Sequence, residues 1–242
     1  MVRAIRAFGG NDLRNVLRDS VLLTFLLAPL FAVALLRLVV PFAAAYLDRR
    51  YGFDLTAYYS LLLSLVLIGL PGGFGSLAGF MLLDERDDDT LTALRVTPIS
   101  MTGYVGYRIS AAVAASFVYA LGCVYLTGLM PTGLLPGLIP AALLAGLFSS
   151  IVTLLLVALA DNKVEGLALS KAFGVFLLGP LAAYFVGSGW QILFGVLPTY
   201  WPAKAFWVVT EGGEAWFYLL AGAAYNLLLL ALLLRLLGNK MF

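Results

Sequence analysis

Six long apolar runs alternate with short polar segments along this chain of 242 residues. Most of these runs reach or exceed the length of about 20 residues with which a helix crosses the hydrocarbon core of a bilayer. The pattern therefore predicts an all-α membrane protein, with six transmembrane helices in a single domain over residues 1–242. The predicted spans cover residues 20–45, 58–83, 109–130, 138–160, 172–187 and 216–236.

The pattern before the first span is different, because arginines and apolar side chains alternate over residues 1–19. Ile5, Phe8 and Leu13 would form an apolar side on a helix, with the arginines around it. Helices of this kind lie in the headgroup layer of a membrane, where basic side chains meet anionic lipid. We predict an amphipathic interfacial helix here, with a frayed tail as the alternative.

Residues 188–215, between the fifth and sixth spans, are too rich in aromatic side chains for a free loop. Glycine and proline also interrupt them too often for one continuous span. We predict a re-entrant hairpin of two short helices, residues 189–197 and 203–210, that turns at Leu197-Pro198-Thr199 and dips into the outer leaflet. Backbone at that depth is tolerated only where protein or a water-filled cavity surrounds it. A surface loop lying on the headgroups is the alternative. The candidate functional residues of this external hairpin are Pro198, Thr199, Trp201 and Pro202.

Composition narrows the classes of function. Hydrophobic residues make up 62% of the chain and charged residues 12%, whereas a soluble domain is about half apolar and a quarter charged. The chain has one cysteine and no histidine, which excludes disulfide frameworks, zinc sites with several Cys or His ligands, and triads with a histidine base. A net charge of +2 is too small to indicate nucleic acid, so membrane lipid is the expected surrounding.

Basic residues concentrate on one side of the predicted membrane, which decides the expected orientation. With the N-terminus in the cytoplasm, 11 of the 15 lysines and arginines fall inside, three fall outside, and Arg37 falls within the first span. Because basic residues are enriched on the cytoplasmic side, we expect a multi-pass protein of the cytoplasmic membrane with both termini in the cytoplasm. We expect Arg37 to snorkel to the external headgroups, with pairing or substrate contact as the alternative.

The most informative polar segment is residues 84–108, which joins the second and third spans on the predicted cytoplasmic side. Its run of carboxylates ends the membrane helix abruptly, since an uncompensated acid inside the bilayer is strongly disfavoured. Leu91 and Leu94 then fall near helical spacing, and Pro98 ends the short helix that they define. A short helix that is apolar on one side suits docking into a groove of a cytoplasmic partner.

The order of residue types in this segment resembles the cytoplasmic loop of ABC-2 type transporter permeases. Members of that family carry two acids, a Thr-Leu pair and a closing Thr-Pro-Ile/Leu-Ser. Asp89 stands where the family commonly has glycine, so the resemblance does not extend to the local turn. The matching residues here are Glu85 and Asp87, Thr90 and Leu91, and Thr97, Pro98, Ile99 and Ser100. Small fluoroquinolone and multidrug export permeases also show an external pattern similar to Leu197-Pro198-Thr199 and Trp201-Pro202.

The resemblance implies an ABC-2, type V exporter-like permease that pairs with a second permease copy, identical or paralogous, and exports a drug or another amphipathic molecule. Two copies of a cytoplasmic ABC ATPase subunit would drive the pair and use the ATP and Mg. This chain is expected to bind no cofactor and to catalyse no reaction, and its sequence contains no Gly-x-x-x-x-Gly-Lys-Ser/Thr phosphate loop. The expected coupling residues are Glu85, Asp87, Thr90, Leu91, Leu94, Thr97 and Pro98.

Three alternatives explain the same pattern differently. A secondary transporter or channel would work alone, but ion coupling normally uses carboxylates within the membrane, and the predicted spans contain none. A membrane-embedded transferase would bind a metal through the acid run, although the adjacent Asp87, Asp88 and Asp89 point about 100° apart on a helix. A purely structural membrane subunit is the third alternative.

Overall fold

The computed structural model describes the backbone of residues 14–88 and 101–241 and the side chains of residues 14–88 and 103–236. The described part is predominantly helical and contains six stretches that are long and apolar enough to cross a membrane. The predicted all-α membrane fold with six spans is therefore confirmed. Residues 14–18 are helical, and residues 1–13 of the predicted interfacial helix lie outside the described part.

The described α-helices from Ser20 onward are numbered here in chain order. They are α1 (Ser20–Tyr51), α2 (Tyr59–Asp87), α3 (Met101–Thr127), α4 (Leu135–Leu159), α5 (Lys163–Ala172), α6 (Val175–Tyr184), α7 (Tyr200–Thr210) and α8 (Trp216–Met241). Short 3-10 segments precede α2, α4 and α7, at Leu55–Tyr58, Thr132–Leu134 and Gly189–Val196. The spans are formed by α1, α2, α3, α4, α5 with α6, and α8, whereas α7 belongs to the external hairpin.

The first span is longer than predicted, because α1 continues to Tyr51 whereas the predicted span ends at residue 45. The helix stops at Gly52, whose φ of 63° lies in the left-handed region that glycine adopts without strain. Arg49 and Arg50 lie in the last turn, where cations interact favourably with the helix dipole. These polar residues therefore form the external end of α1 and do not begin a loop.

The fifth span differs most from its predicted range of 172–187. It begins at Lys163 and consists of α5 and α6, which are separated by a break at residues 173–174. Asn162 caps α5, since its side-chain oxygen accepts a hydrogen bond from Glu165 N at 2.9 Å. The predicted span begins nine residues later, at residue 172, whereas this cap starts the helix at Lys163.

The centre of the bundle is formed by α2 and α4, whose apolar segments are 61% and 72% buried. These helices approach closely at two glycines of α2. A Cβ atom on Gly75 would lie 2.4 Å from the Ser149 carbonyl oxygen, and one on Gly79 would lie 2.8 Å from a carbon of α4. Thr153 completes the contact by donating a hydrogen bond to Gly75 O at 2.9 Å. Small residues of this kind let membrane helices pack through their backbones.

The outside of the bundle is formed by α1 and α8, where only 11% of each apolar segment is buried. On α1, the side chains of Phe31, Leu38 and Phe42 are 73%, 74% and 74% exposed. Exposed apolar surface of this extent is unfavourable in water. It is favourable in a bilayer, where lipid or another membrane protein covers it.

Candidate functional site at the charged end of the bundle

Charged side chains from four parts of the chain meet at one end of the bundle. They come from the residue before α1, the last turn of α2, the first turns of α3 and the first residue of α5. In the predicted orientation this is the cytoplasmic end, and in the sequence residues 89–100 connect α2 to α3. This group is named the charged cluster, and it consists of Asp19, Asp84, Glu85, Asp87, Arg108 and Lys163.

Arg108 forms the buried part of the charged cluster. Its side chain is 4% exposed and pairs with the Glu85 carboxylate, which is 15% exposed. The Tyr104 hydroxyl donates a hydrogen bond to Glu85 Oε1 at 2.5 Å and accepts one from Arg108 Nη2 at 2.7 Å. Glu85 lies at the end of α2, and Tyr104 and Arg108 lie near the start of α3. The contact therefore fastens together the two ends of residues 89–100.

Lys163, the first residue of α5, links this helix to α1 and α2. Its ammonium donates hydrogen bonds to Asp19 Oδ2 at 2.6 Å and to Asp84 Oδ2 at 2.7 Å. Its backbone N–H donates to Asp87 Oδ2 at 3.0 Å. Asp19 also caps α1 by accepting from the backbone N–H of Val21 at 2.8 Å. One lysine thus holds the ends of α1, α2 and α5 together.

The hydrogen bond from Lys163 lowers the pKa of Asp19 below its ordinary value, with the capping hydrogen bonds of α1 acting in the same direction against the effect of burial. Asp19 is therefore ionised at neutral pH. Its negative charge lies at the N-terminus of α1, where the helix dipole also favours an anion.

Arg86 adds a contact between α2 and α4. Its guanidinium donates a hydrogen bond to the carbonyl oxygen of Ala160, the C-cap residue of α4. Carbonyl groups at a helix C-terminus have no partner within the helix and carry partial negative charge. The last turn of α2 is therefore joined to α1, α3, α4 and α5 by the side chains of four consecutive residues, Asp84 to Asp87.

The structure describes two of the seven expected coupling residues. Glu85 and Asp87 both belong to the charged cluster, where they bind Arg108 and the backbone of Lys163. Glu85 is partly buried and faces its own chain, whereas Asp87 is exposed. The five that lie outside the described residues are Thr90, Leu91, Leu94, Thr97 and Pro98, and their role in coupling stays a prediction.

Sequence reasoning did not identify Asp19, Arg108 and Lys163 as members of this site. Each is a charge at the edge of an apolar run, and the two cations are opposite in sign to the acid run of α2. That combination is a signal for pairing across helix ends. It does not specify which cation meets which acid, because the separation in sequence between Lys163 and Asp19 is 144 residues.

The acid run of α2 does not gather into a metal site in the described part of the chain. There, no three side chains of His, Cys, Asp or Glu come close enough together to hold an ion. Asp84 and Glu85 instead face Lys163 and Arg108. These two acids therefore neutralise cations of their own chain.

The external hairpin contains two helical segments, the 3-10 segment Gly189–Val196 and α7. They are joined at residues 197–199, where the sequence predicts the turn. Thr199 is fully buried, and its hydroxyl donates to the Phe176 carbonyl oxygen of α6 at 2.5 Å. Trp201 donates from its indole N–H to the Gly195 carbonyl oxygen at 3.0 Å, which closes the hairpin on itself. That the hairpin enters the membrane stays a prediction.

The second half of the hairpin packs inside the bundle. Pro198 and Pro202 are buried, as are Tyr200 and Phe206. Trp207 donates from its indole N–H to the Ser64 hydroxyl of α2 at 2.9 Å. The second half of the hairpin is therefore surrounded by protein, whereas Trp190, Leu193 and Val196 of the first half are exposed.

Arg37 makes a specific contact with another helix, whereas the sequence analysis favoured snorkelling to the external headgroups. Its Nη1 donates a hydrogen bond to the Leu126 carbonyl oxygen, near the end of α3, at 2.9 Å. This carbonyl lies in the last turn of a helix, where it has no partner within the helix. Arg37 therefore joins α1 to the external end of α3.

Comparison with known proteins identifies a family that this chain resembles over most of its length. The family described as fluoroquinolones export permease protein Rv2686c-like matches residues 12–234. Two relatives from Mycobacterium tuberculosis are the fluoroquinolones export permease proteins Rv2686c, from strain ATCC 25618 / H37Rv, and MT2760, from strain CDC 1551 / Oshkosh. Each is 42% identical over 236 residues, which cover 96% of this chain and 93% of the relative. No solved structure matches the chain.

Proposed function

This chain belongs to the Rv2686c-like family of fluoroquinolones export permeases, and from that membership we propose that it is the membrane subunit of an ATP-binding cassette exporter whose ATPase is a separate chain. The family is consistent with the ABC-2 type resemblance, and both describe an export permease of a membrane. The proposal adds the energy source, which is ATP hydrolysis by a cytoplasmic partner.

The observation that carries this proposal is the charged cluster. It fastens the two ends of residues 89–100 to each other through Glu85 and Arg108, and to α1 and α5 through Lys163. A force applied to residues 89–100 would therefore move the ends of four membrane helices together. This is the mechanical property that a loop needs if it is to transmit motion from an ATPase to membrane spans.

The assembly that we propose has two permease copies, identical or paralogous, and two copies of the ATPase. The ATPase binds ATP and Mg, and this chain contributes the spans and the docking helix around Leu91 and Leu94. Both termini and the charged cluster lie in the cytoplasm. By analogy with the relatives' names, the proposed cargo is a fluoroquinolone or a related amphipathic drug.

The decisive experiment is co-purification of the ATPase with variants of residues 89–100. We expect Leu91→Asp and Leu94→Asp to release the ATPase, because a carboxylate in an apolar groove opposes docking. Leu91→Met, which conserves the apolar volume, should retain the ATPase. A thermal melt of each purified variant checks that the membrane fold is intact.

Two results would contradict the proposal at different levels. Unchanged association of the ATPase with Leu91→Asp removes the docking role of this helix. A native protein that leaves the membrane without any ATPase, and whose transport is insensitive to ATP and vanadate, removes the exporter function itself.

A further inference from the structure

A cavity of about 460 Å³ opens at the end of the bundle opposite the charged cluster. Its walls come from the start of the external hairpin, from α7 and from the first turn of α8. The proposed coupling to an ATPase makes no use of it. The lining residues that matter for its chemistry are Ser188, Gln191, Tyr200, Lys204, Phe217 and Tyr218.

Lys204 is the charged residue of this cavity, and aromatic rings surround it. Its ammonium lies 5.8 Å from the centre of the Tyr218 ring, and Tyr200 lies one turn earlier on the same face of α7. Within the described ranges, every ion pair lies in the charged cluster, so no carboxylate there comes within 4.0 Å of the Lys204 ammonium. A half-buried cation in these surroundings is stabilised by an anion from outside the chain.

The aromatic side chains near the cavity indicate its depth in the membrane. Trp190, Trp216 and Phe217 are 71%, 64% and 65% exposed, and aromatic residues concentrate at the level of the lipid headgroups. Ile192 also lines the cavity and is 46% exposed. The apolar edge of the cavity therefore continues onto the lipid-facing surface of the protein.

We propose that this cavity binds the phosphate group of a phospholipid from the external leaflet. Lys204 pairs with the phosphate oxygens, and the acyl chains lie along Ile192 and Phe217. Ser188 and Gln191 provide polar groups for the glycerol part of the headgroup. Phosphatidylglycerol fits this site better than phosphatidylcholine, because the choline cation would meet the Lys204 ammonium.

The test is a titration of the purified, delipidated full chain with phosphatidylglycerol, followed by native mass spectrometry. We expect Lys204→Gln to weaken binding roughly tenfold or more, since it removes a charge-assisted hydrogen bond. Lys204→Arg should bind nearly as well as the unmodified protein. Arg49→Gln removes an exposed cation on the same predicted side, outside the cavity, and should leave binding unchanged.

The proposal is overturned if Lys204→Gln binds phosphatidylglycerol as tightly as the unmodified protein does. It is also overturned if a fluoroquinolone binds in a Lys204-dependent way and phosphatidylglycerol does not, because the cavity is then a site for a drug carboxylate. The unmodified protein gives a check that needs no variant: equal affinity for phosphatidylcholine and phosphatidylglycerol contradicts the assigned headgroup. None of these outcomes depends on whether an ATPase associates with the chain.

Discussion

Single residues of the charged cluster differ in burial, and burial decides how much each contact contributes. Arg108 and Glu85 are 4% and 15% exposed, whereas Lys163 and its two acids are 21% to 33% exposed. Breaking a buried pair leaves an uncompensated charge and costs about 3–5 kcal/mol. Breaking an exposed pair costs roughly 0–1 kcal/mol. Removing one partner of the Arg108 contact is therefore expected to cost more than removing one partner of the Lys163 contacts.

Glu85→Gln tests this ranking. We expect it to lower the free energy of unfolding by about 3 kcal/mol, because the buried Arg108 guanidinium would lose its ionic contact with Glu85. A melt in detergent followed by circular dichroism measures the change. Adding Arg108→Met should recover much of the lost stability, since the buried positive charge is then removed. Equal melts for Glu85→Gln and the unmodified protein would show that the pair contributes little.

Lys163→Met should cost less, on the order of 1 kcal/mol, because water already screens its contacts. Lys171→Met removes an exposed cation from the same helix and serves as the control.

Since the pKa of Asp19 is lowered in the folded protein, the stabilising contribution of the contact between Lys163 and Asp19 is present above the ordinary pKa of 3.8. It is lost as the pH falls through the lower value of the folded state. A pH series of melts for both variants measures this, and a larger effect of Lys171→Met would contradict it.

Packing between elements depends on the glycines of α2. At Gly75 the nearest atom to an added Cβ is a backbone carbonyl oxygen of α4, and a backbone atom cannot move away by rotating a side chain. The two helices must separate if the space is filled. The same stretch of α2 also contains Gly69, around which no atom lies within 4 Å of an added Cβ.

Gly75→Ala should therefore destabilise the fold by about 1–3 kcal/mol, as expected for an overpacked contact. Gly69→Ala changes the same residue type in the same helix without a steric conflict, and it should be neutral or stabilising by up to about 1 kcal/mol. Thermal melts of the two variants, compared side by side, measure the difference. If both variants melt alike, the close approach of α2 and α4 does not depend on Gly75.

The predicted elements were most accurate where apolar length alone decides the structure. The number of spans and the turn of the external hairpin agree with the sequence analysis. The break of the fifth span at residues 173–174 was not predicted, because the predicted span begins at residue 172 and the helix before the break was assigned to the preceding polar segment. The earlier start of that span depends on the Asn162 cap, a local hydrogen bond that hydropathy does not detect.

The whole molecule has two chemically different ends, and the proposed function requires a definite orientation. The charged cluster lies at one end, and the cavity with Lys204 lies at the other. An ATPase in the cytoplasm reaches residues 89–100 only if the charged cluster faces the cytoplasm.

Cysteine labelling in intact cells tests the orientation. Cys123 is buried and is first replaced by alanine. We expect Asp88→Cys to react only with a membrane-permeant maleimide, and Glu211→Cys to react also with an impermeant one, because both positions are exposed at opposite ends of the bundle. Reaction of Asp88→Cys with the impermeant reagent would exclude a cytoplasmic ATPase contact at this segment.

The sequence predicted where part of the candidate site lies along the chain, but not which of its side chains contact one another. Asp84 to Asp87 form the polar end of the second span as the sequence predicts, whereas residues 101–108 of the predicted loop belong to α3. The partners of Glu85 and Asp87 were not predicted, because Arg108 and Lys163 belong to different helices whose neighbours are decided by packing. Arg37 shows the same limit, since its acceptor on α3 is 89 residues away in sequence.

The sequence by itself determined that this chain is a six-span membrane protein, because apolar length and charge placement act along the chain and need no knowledge of the fold. It also determined where the hairpin turns, since glycine and proline restrict the backbone locally. Only the tertiary structure decided that Glu85 pairs with Arg108, that Gly75 lies against Ser149, and that Lys204 lines a cavity. Such contacts depend on which helix faces join, and that choice results from the packing of all the helices together.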